Sequence, residues 1–307
     1  MGKLHRVSII GANSYIARNM VLEMKRRGDF CLFLYDQQEN QTDGWSEYRQ
    51  IDILSEDSLE SVEFECESIY VFAGITGTAN GFDEYTKYIT INEIGLLNIL
   101  NMYRKKKSKA KIIFPSTRLV YKGVRGRLKE DAEKEFKTMY AMTKYACENY
   151  LEMYRNAYQI PYCILRICLP YGTMLPDSAS YGTAEFFAAR GRANEDICIY
   201  GDGEQRRTLT HIQDLTEILI QAGLNGRCVN DIYNVGGSDE LSIREIAETI
   251  ADIYHVGVKN VEWPEMAYKL ESGDTVFDSE KLDHILGYEY KRRFRDWALG
   301  QAEGVRP

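Results

Sequence analysis

No apolar run in the 307-residue sequence approaches the ~20 residues that a bilayer-spanning helix needs, and the amino terminus "MGKLHRVSIIG" lacks an apolar targeting segment. Positive charge is also in short supply. With 46 Asp and Glu against 38 Lys and Arg, the net charge is −8, which leaves no electrostatic footprint for nucleic acid or an acidic membrane. The one basic run, "RKKKSKAK" from Arg104 to Lys111, follows an apolar helical pattern and reads as a solvated helix end. The seven cysteines are odd in number and show no C-x-x-C spacing, and several sit in apolar runs where a thiol behaves as a small hydrophobe. No cluster of His, Cys, Asp and Glu has metal-ligand spacing, so no metal is expected. Internal repeats and low-complexity tracts are missing as well. These absences lead to the expectation of a cytoplasmic protein of ordinary composition, with neither nucleic acid nor membrane as partner.

What is present is alternation. Short apolar runs at Arg6–Ile10, Phe30–Tyr35, Ser68–Ala73, Lys111–Phe114 and Tyr162–Ile167 are separated by helical patterns such as Ser14–Arg27 and Asn92–Tyr103. This pattern predicts βαβ units and an α/β, doubly wound parallel sheet of Rossmann type, its strands buried on both faces. After about Arg166 the alternation loosens and turn signals multiply. The expected organisation is a dinucleotide-binding domain over 1–167, with a late strand returning near 231–237, and a smaller lobe made mainly of 168–307.

The first strand runs directly into "GANSYIARNM", Gly11 to Met20. A strand, a tight glycine turn and a helix amino terminus form an anion site, because unpaired N–H groups and the helix dipole face a pyrophosphate. The glycine pattern is eroded, with Gly11, Ser14 and Ala17 where three glycines would repeat. Asp36 follows Gly11 by 25 residues, near the spacing at which a carboxylate accepts from the adenosine ribose hydroxyls. A carboxylate there repels a 2′-phosphate, which favours NAD over NADP.

Tyr-x-x-x-Lys occurs twice, at Tyr103/Lys107 and in "YAMTKYACE" at Tyr140/Lys144. With 22 tyrosines in the chain, roughly one occurrence is expected by chance, so context must separate them. The first pair lies at a basic helix end with no hydroxyl-bearing strand before it and reads as a solvated face. The second follows "PSTRLVYKG" (Pro115–Gly123). With "FAGITG" (Phe72–Gly77), "INEIGLLNIL" (Ile91–Leu100), "LRICLPYG" (Leu165–Gly172), "YGDGEQRRTLTHIQDL" (Tyr200–Leu215), "YNVGG" (Tyr233–Gly237) and "VFDSEKLDHILGY" (Val276–Tyr288), this order resembles the extended short-chain dehydrogenase/reductases. Within them it is similar to the nucleotide-sugar epimerase/dehydratase family, over nearly the whole chain.

The resemblance implies that Thr117 is a hydroxyl partner, Tyr140 the acid/base and Lys144 its neighbour, which also holds the nicotinamide ribose. Cofactor contacts are expected from Gly11, Asn13, Ser14, Tyr15, Ile16, Asp36, Asp52, Ile53, Ala73, Gly74 and Asn92, besides Tyr140 and Lys144. The residue types suit the chemistry. A phenol titrates near ~10 and needs a nearby cation to act as a base at neutral pH. Residues four apart share a helix face, which brings Lys144 beside Tyr140. The implied reaction is hydride transfer at a sugar carbon, usually C4.

Family dehydratases and decarboxylases carry an acidic residue after the hydroxyl residue, whereas Arg118 and Leu119 stand here. An NAD-dependent epimerase is therefore expected, with a 4-keto reductase as the alternative and a non-catalytic dinucleotide-binding scaffold as a third reading. Arg118, Tyr200 and Arg207 are the expected substrate contacts, with the Arg207 fork suited to a diphosphate. Two departures stand out: Leu169 replaces a frequent Asn, and Glu271-Ser272-Gly273-Asp274 replaces an Arg-x-Gly-Asp clamp. His211 reads as a packed histidine, and Ile91–Leu100 with Met139–Tyr158 could form a homodimer contact.

Overall fold

The computed structural model describes residues 4–78, 81–176, 178–180 and 182–304. Its five leading strands are β1 (His5–Ile10), β2 (Phe30–Asp36), β3 (Tyr48–Gln50), β4 (Ser68–Val71) and β5 (Lys111–Thr117). They pair in parallel, β1 lying between β2 and β4. Strands Tyr162–Ile167 and Asp231–Asn234 extend the sheet beyond β5, giving seven strands in all. Every residue of β4 and β5 is buried, as both-faced burial of a parallel sheet requires. The run expected to continue to Ala73 stops at Val71, because the N–H groups of Phe72 and Ala73 both turn to the Ile10 carbonyl.

Between the strands lie α1 (Tyr15–Arg27), α2 (Glu56–Leu59), α3 (Tyr85–Tyr88), α4 (Gly95–Lys105) and α5 (Met139–Tyr158). Helix α1 stops at Gly28, whose φ of 72° closes a left-handed cap onto the Met24 carbonyl. The expected helix over 92–103 divides into a π-helical segment, Ile89–Ile94, followed by α4. Gly95 sits at the joint, where a Cβ would come within 2.4 Å of Ile53 Cδ1. The apolar faces of α4 and α5 bury Ile99, Leu100 and Leu151 against Ile10, Ile112, Phe114 and Ile164 of the sheet. Each such side chain contributes about 1.5–3 kcal/mol on burial.

Two expectations near α4 need correction. Tyr103 belongs to the core, 3 % exposed, with its hydroxyl donating to the Ala110 carbonyl, so the dismissed Tyr103/Lys107 pair is not a solvated face. Lys111, the last residue of the basic run, is buried and donates to the carbonyls of Ala222 and Asn225. Its ammonium caps the carboxyl end of the helix Ile212–Leu224.

The chain divides into two compact units, each made of three segments of the sequence. The first comprises 1–120, 136–166 and 219–233; the second comprises 121–135, 167–218 and 234–307. Among the described residues, the second unit holds a three-stranded sheet of Asp239–Ser242, Arg206–His211 and Leu169–Tyr171 and two further strand pairs. Its helix Ile243–Tyr254 begins with a reciprocal capping box between Ser242 and Glu245 and packs Ile246 and Ile250 into a core with Tyr171, Phe187, Phe294 and Trp297. Among the described residues, no helix is long and apolar enough to cross a membrane.

Candidate active site

The turn after β1 is fixed by sterics. Gly11 has φ 91°, and a Cβ there would lie 2.3 Å from the Ala73 amide nitrogen. Its N–H and that of Ala12 donate to the Tyr35 carbonyl, which ties the turn to β2. Asn13 then links the turn to the loop after β2. Its backbone N–H donates to Asp36 Oδ2 at 3.0 Å, while its side chain donates to Gln38 Oε1 and the Asn40 carbonyl and accepts from the Thr42 N–H.

Ser14 opens α1 in an extended conformation, and its Oγ is buried with no hydrogen-bond partner among the described residues. A buried hydroxyl left open at the amino terminus of a 13-residue helix suits an anion that supplies the missing oxygen. Of the eroded glycine positions, Ala17 is fully buried and accommodates its methyl group. An open cavity of about 570 Å³ lies at this turn, lined among others by Gly11, Asn13, Ser14, Asp36, Asp52, Ile53, Ala73 and Gly74. These eight are expected cofactor contacts, and Gln38 and Ile75 join them unforeseen.

Tyr15, Ile16 and Asn92 do not line that cavity. Asn92 supports it from behind: its Oδ1 accepts from Ile75 N–H at 2.7 Å, and its Nδ2 donates to the Ile75 carbonyl and to Thr143 Oγ1. The π-helical turn carrying Asn92 thereby fixes the segment after β4 and couples it to α5. A larger groove of about 1110 Å³, lined by Arg6, Phe33, Glu63 and Lys109 among others, lies by the amino ends of β1 and β5. Ligands of such sheets sit at the carboxyl ends, so the smaller cavity is the one that bears on chemistry.

Thr117 ends β5, 6 % exposed, and its Oγ1 accepts from Leu119 N–H across the 3₁₀ turn Arg118–Val120. Arg118 is half-buried on that turn. Thr138 caps α5 by accepting from Ala141 N–H, which sets half-buried Tyr140 in the first helical turn. One turn on, Lys144 is 6 % exposed and donates to the Pro115 carbonyl at 2.8 Å, with Nζ 4.3 Å from the centre of the Phe114 ring. The reaction-centre candidates on α5 are thus bonded to the strand that presents Thr117. Burial pushes the Lys144 ammonium down to about 8, with the neighbouring Glu148 carboxylate acting in the opposite direction. A cation poised so near neutrality can stabilise a phenolate and can also give up its own proton.

Sequence reasoning passed over a buried network directly behind this pair. Glu148 accepts from Ser116 Oγ at 2.5 Å and from Arg166 Nη2 at 2.6 Å, with both charged side chains almost wholly buried. The available signal was a charged residue inside the apolar run Tyr162–Ile167.

In the second unit Arg207 is 2 % exposed; its Nη2 donates to Glu271 Oε1 at 2.6 Å and its Nη1 to the Gly273 carbonyl. The acidic departure at Glu271 therefore meets a buried counter-charge. Tyr200, 44 % exposed, lies against Trp263 with ring centres 5.1 Å apart. Leu169 is half-buried at the start of its strand. His211 is buried against Tyr171, its Nδ1 accepting from Gln213 N–H.

Among curated proteins, the chain is 28 % identical over 275 residues to the UDP-N-acetyl-alpha-D-glucosaminuronate decarboxylase of Bacillus cytotoxicus, covering 84 % of this chain and 83 % of that one. It is also 28 % identical over 208 residues to a putative UDP-glucose 4-epimerase of Methanocaldococcus jannaschii, covering 67 % of each. Among solved structures, the UDP-glucose 4-epimerase of Thermus thermophilus in complex with NAD superposes with a TM-score of 0.84 at 21 % identity, covering 98 % of both chains. That likeness establishes the Rossmann-type fold. The family description itself specifies NAD, in agreement with Asp36 at the end of β2 and the cradle at Gly11. The model of the NAD dependent epimerase/dehydratase family matches residues 7–236, and the chain belongs to that family.

Proposed function

We propose that the protein is an NAD-dependent epimerase of a nucleoside-diphosphate sugar, acting through transient oxidation at C4. The observation that carries this reading is the bond from Lys144 Nζ to the Pro115 carbonyl, which holds the Tyr140/Lys144 face of α5 against the strand ending in Thr117. When bound, NAD supplies the hydride acceptor. Gly11, Ser14 and the amino terminus of α1 hold its pyrophosphate, and Asp36 accepts from the adenosine ribose hydroxyls.

Tyr140 takes the proton of the sugar hydroxyl and returns it after the sugar has turned. Thr117 bonds the same oxygen, and Lys144 supports the phenolate and holds the nicotinamide ribose. Arg118, at the position after the hydroxyl residue, has no proton to exchange at neutral pH, which separates this centre from an eliminating or decarboxylating one. Arg118 contacts the substrate, a UDP-sugar being the class named for the relatives above; in the second unit Tyr200 is exposed for such a contact, whereas the buried Arg207 fork is held by Glu271 and the Gly273 carbonyl. The exposed apolar residues Ile94, Met142 and Met153 on the π-helical segment and α5 support a homodimer.

The test is a panel of UDP-, GDP-, CDP- and dTDP-sugars, uronic acids included, assayed with wild-type protein and Tyr140→Phe. Interconversion of C4 epimers without consumption of added cofactor is expected, with at least a ~10³-fold loss in Tyr140→Phe and NAD binding retained. Turnover unaffected by Tyr140→Phe removes the catalytic assignment. Consumption of NADH with a 4-keto sugar makes the protein a reductase instead.

A further inference from the structure

We propose that Glu148 is a positioning residue for this centre: bonded to Ser116 and Arg166, it fixes the α5 turn carrying Lys144 against β5 and supplies the counter-charge of the Lys144 ammonium. The proposal rests on the reading of Lys144 given above. Tyr140, Lys144 and Glu148 follow one another at four-residue intervals, so one helix face carries all three. Two successive residues at the end of β5 are tied to that face, Pro115 by its carbonyl to Lys144 and Ser116 by its hydroxyl to Glu148. Thr117 is the next residue along the strand. A shift of Glu148 therefore moves the acid/base face and the hydroxyl strand together.

Lys144 faces Glu148 and Cys147 on its own helix and the Pro115 carbonyl and Phe114 ring on β5. Burial raises the Cys147 thiol to about 12, so it is neutral at physiological pH and leaves Glu148 as the anion beside the ammonium. Glu93, on the π-helical segment, lies near Cys147 and accepts from Tyr150 Oη. Arg166, from strand Tyr162–Ile167, bonds both oxygens of Glu148 and fixes the orientation of that carboxylate. A buried ion pair is weak evidence for stability, since an apolar pair of similar volume often serves as well. Its placement one turn from Lys144 gives it a use that packing alone does not require.

The direct test follows the Lys144 side chain by NMR in protein carrying ¹³C-labelled lysine, its signal assigned by its loss in Lys144→Met. The wild-type midpoint is expected near 8. In the double variant Glu148→Gln/Arg166→Gln, which removes both halves of the Glu148–Arg166 pair and leaves Lys144 without its counter-charge, it should fall by at least about half a pH unit. Glu148→Asp, which keeps the charge, should restore most of that shift. If the glutamine pair fails to fold, Glu148→Met/Arg166→Met serves the same purpose with apolar packing. An unchanged midpoint in either folded double variant overturns the proposal. In the epimerase assay the same variant should lose about tenfold in kcat, with its alkaline limb at lower pH and KM within about threefold. A shifted midpoint with unaltered turnover upholds the link between Glu148 and Lys144 and counts against the catalytic reading of Lys144.

Discussion

Gly11 is the one position in the phosphate-binding turn at which a side chain has no room. Its φ of 91° is unfavourable for an L-residue, and the group a Cβ would strike is backbone, which cannot swing aside. Gly11→Ala is accordingly expected to weaken NAD binding by at least about 100-fold and to destabilise the fold by about 2–4 kcal/mol. Calorimetric titration with NAD and urea unfolding would check the two effects, and a variant that binds as the wild type would show that the turn relaxes. The neighbouring positions explain why the eroded pattern could be read at all. Ala17 carries a methyl group in a fully buried place, and Ser14 carries a hydroxyl left open for a ligand. Small size was the requirement there, not glycine. Other residues gave no such signal. Arg207 reads as a phosphate fork, yet its partner Glu271 is 64 positions away, and no local pattern joins them.

Helix α5 divides its residues between two faces. The inward face carries Lys144, Cys147, Glu148 and Leu151, all buried. The outward face carries Met142 and Met153, which are 47 % and 57 % exposed and three turns apart. Exposed methionines at that spacing are costly to leave wet and inexpensive to cover with a second helix pair. Wild-type protein is expected to sediment as a dimer, and Met142→Glu/Met153→Glu as a monomer at the same concentration. A wild-type monomer in sedimentation velocity would remove the interface. At this scale the sheet strands were legible because burial on both faces leaves continuous apolar runs. The π-helical turn was not, because it is stabilised by Asn92 reaching Ile75 and Thr143 across the chain. Helical periodicity alone carries no trace of that bond.

At the scale of the whole molecule, each unit carries a buried base that burial depresses, His211 in the second and Lys144, besides Lys111, in the first. In the second unit, burial pushes His211 down to about 4, with Asp214 opposing and Arg292 adding to the shift. Between about 6.5 and about 4 the unfolded chain therefore binds a proton that the folded chain refuses, and stability falls as pH falls through that window. In the first unit, Lys144 is depressed from 10.5 to about 8, so here too the unfolded chain holds the extra proton. Stability from this group is lowest below about 8 and recovers as pH rises towards 10.5. Other groups titrate in both windows, so the informative quantity is the difference between wild type and variant in urea unfolding at a series of pH values. Relative to His211→Gln, the wild type should lose on the order of 3 kcal/mol between pH 6.5 and 4 and nothing above. Relative to Lys144→Met, it should gain a similar amount between pH 8 and 10.5 and be level with pH below that range. A flat difference curve in the lower window would mean that His211 is protonated in the folded chain. A flat curve in the upper window would mean that Lys144 keeps its proton in the folded chain, a permanent cation beside Tyr140 with no proton of its own to give up near neutrality.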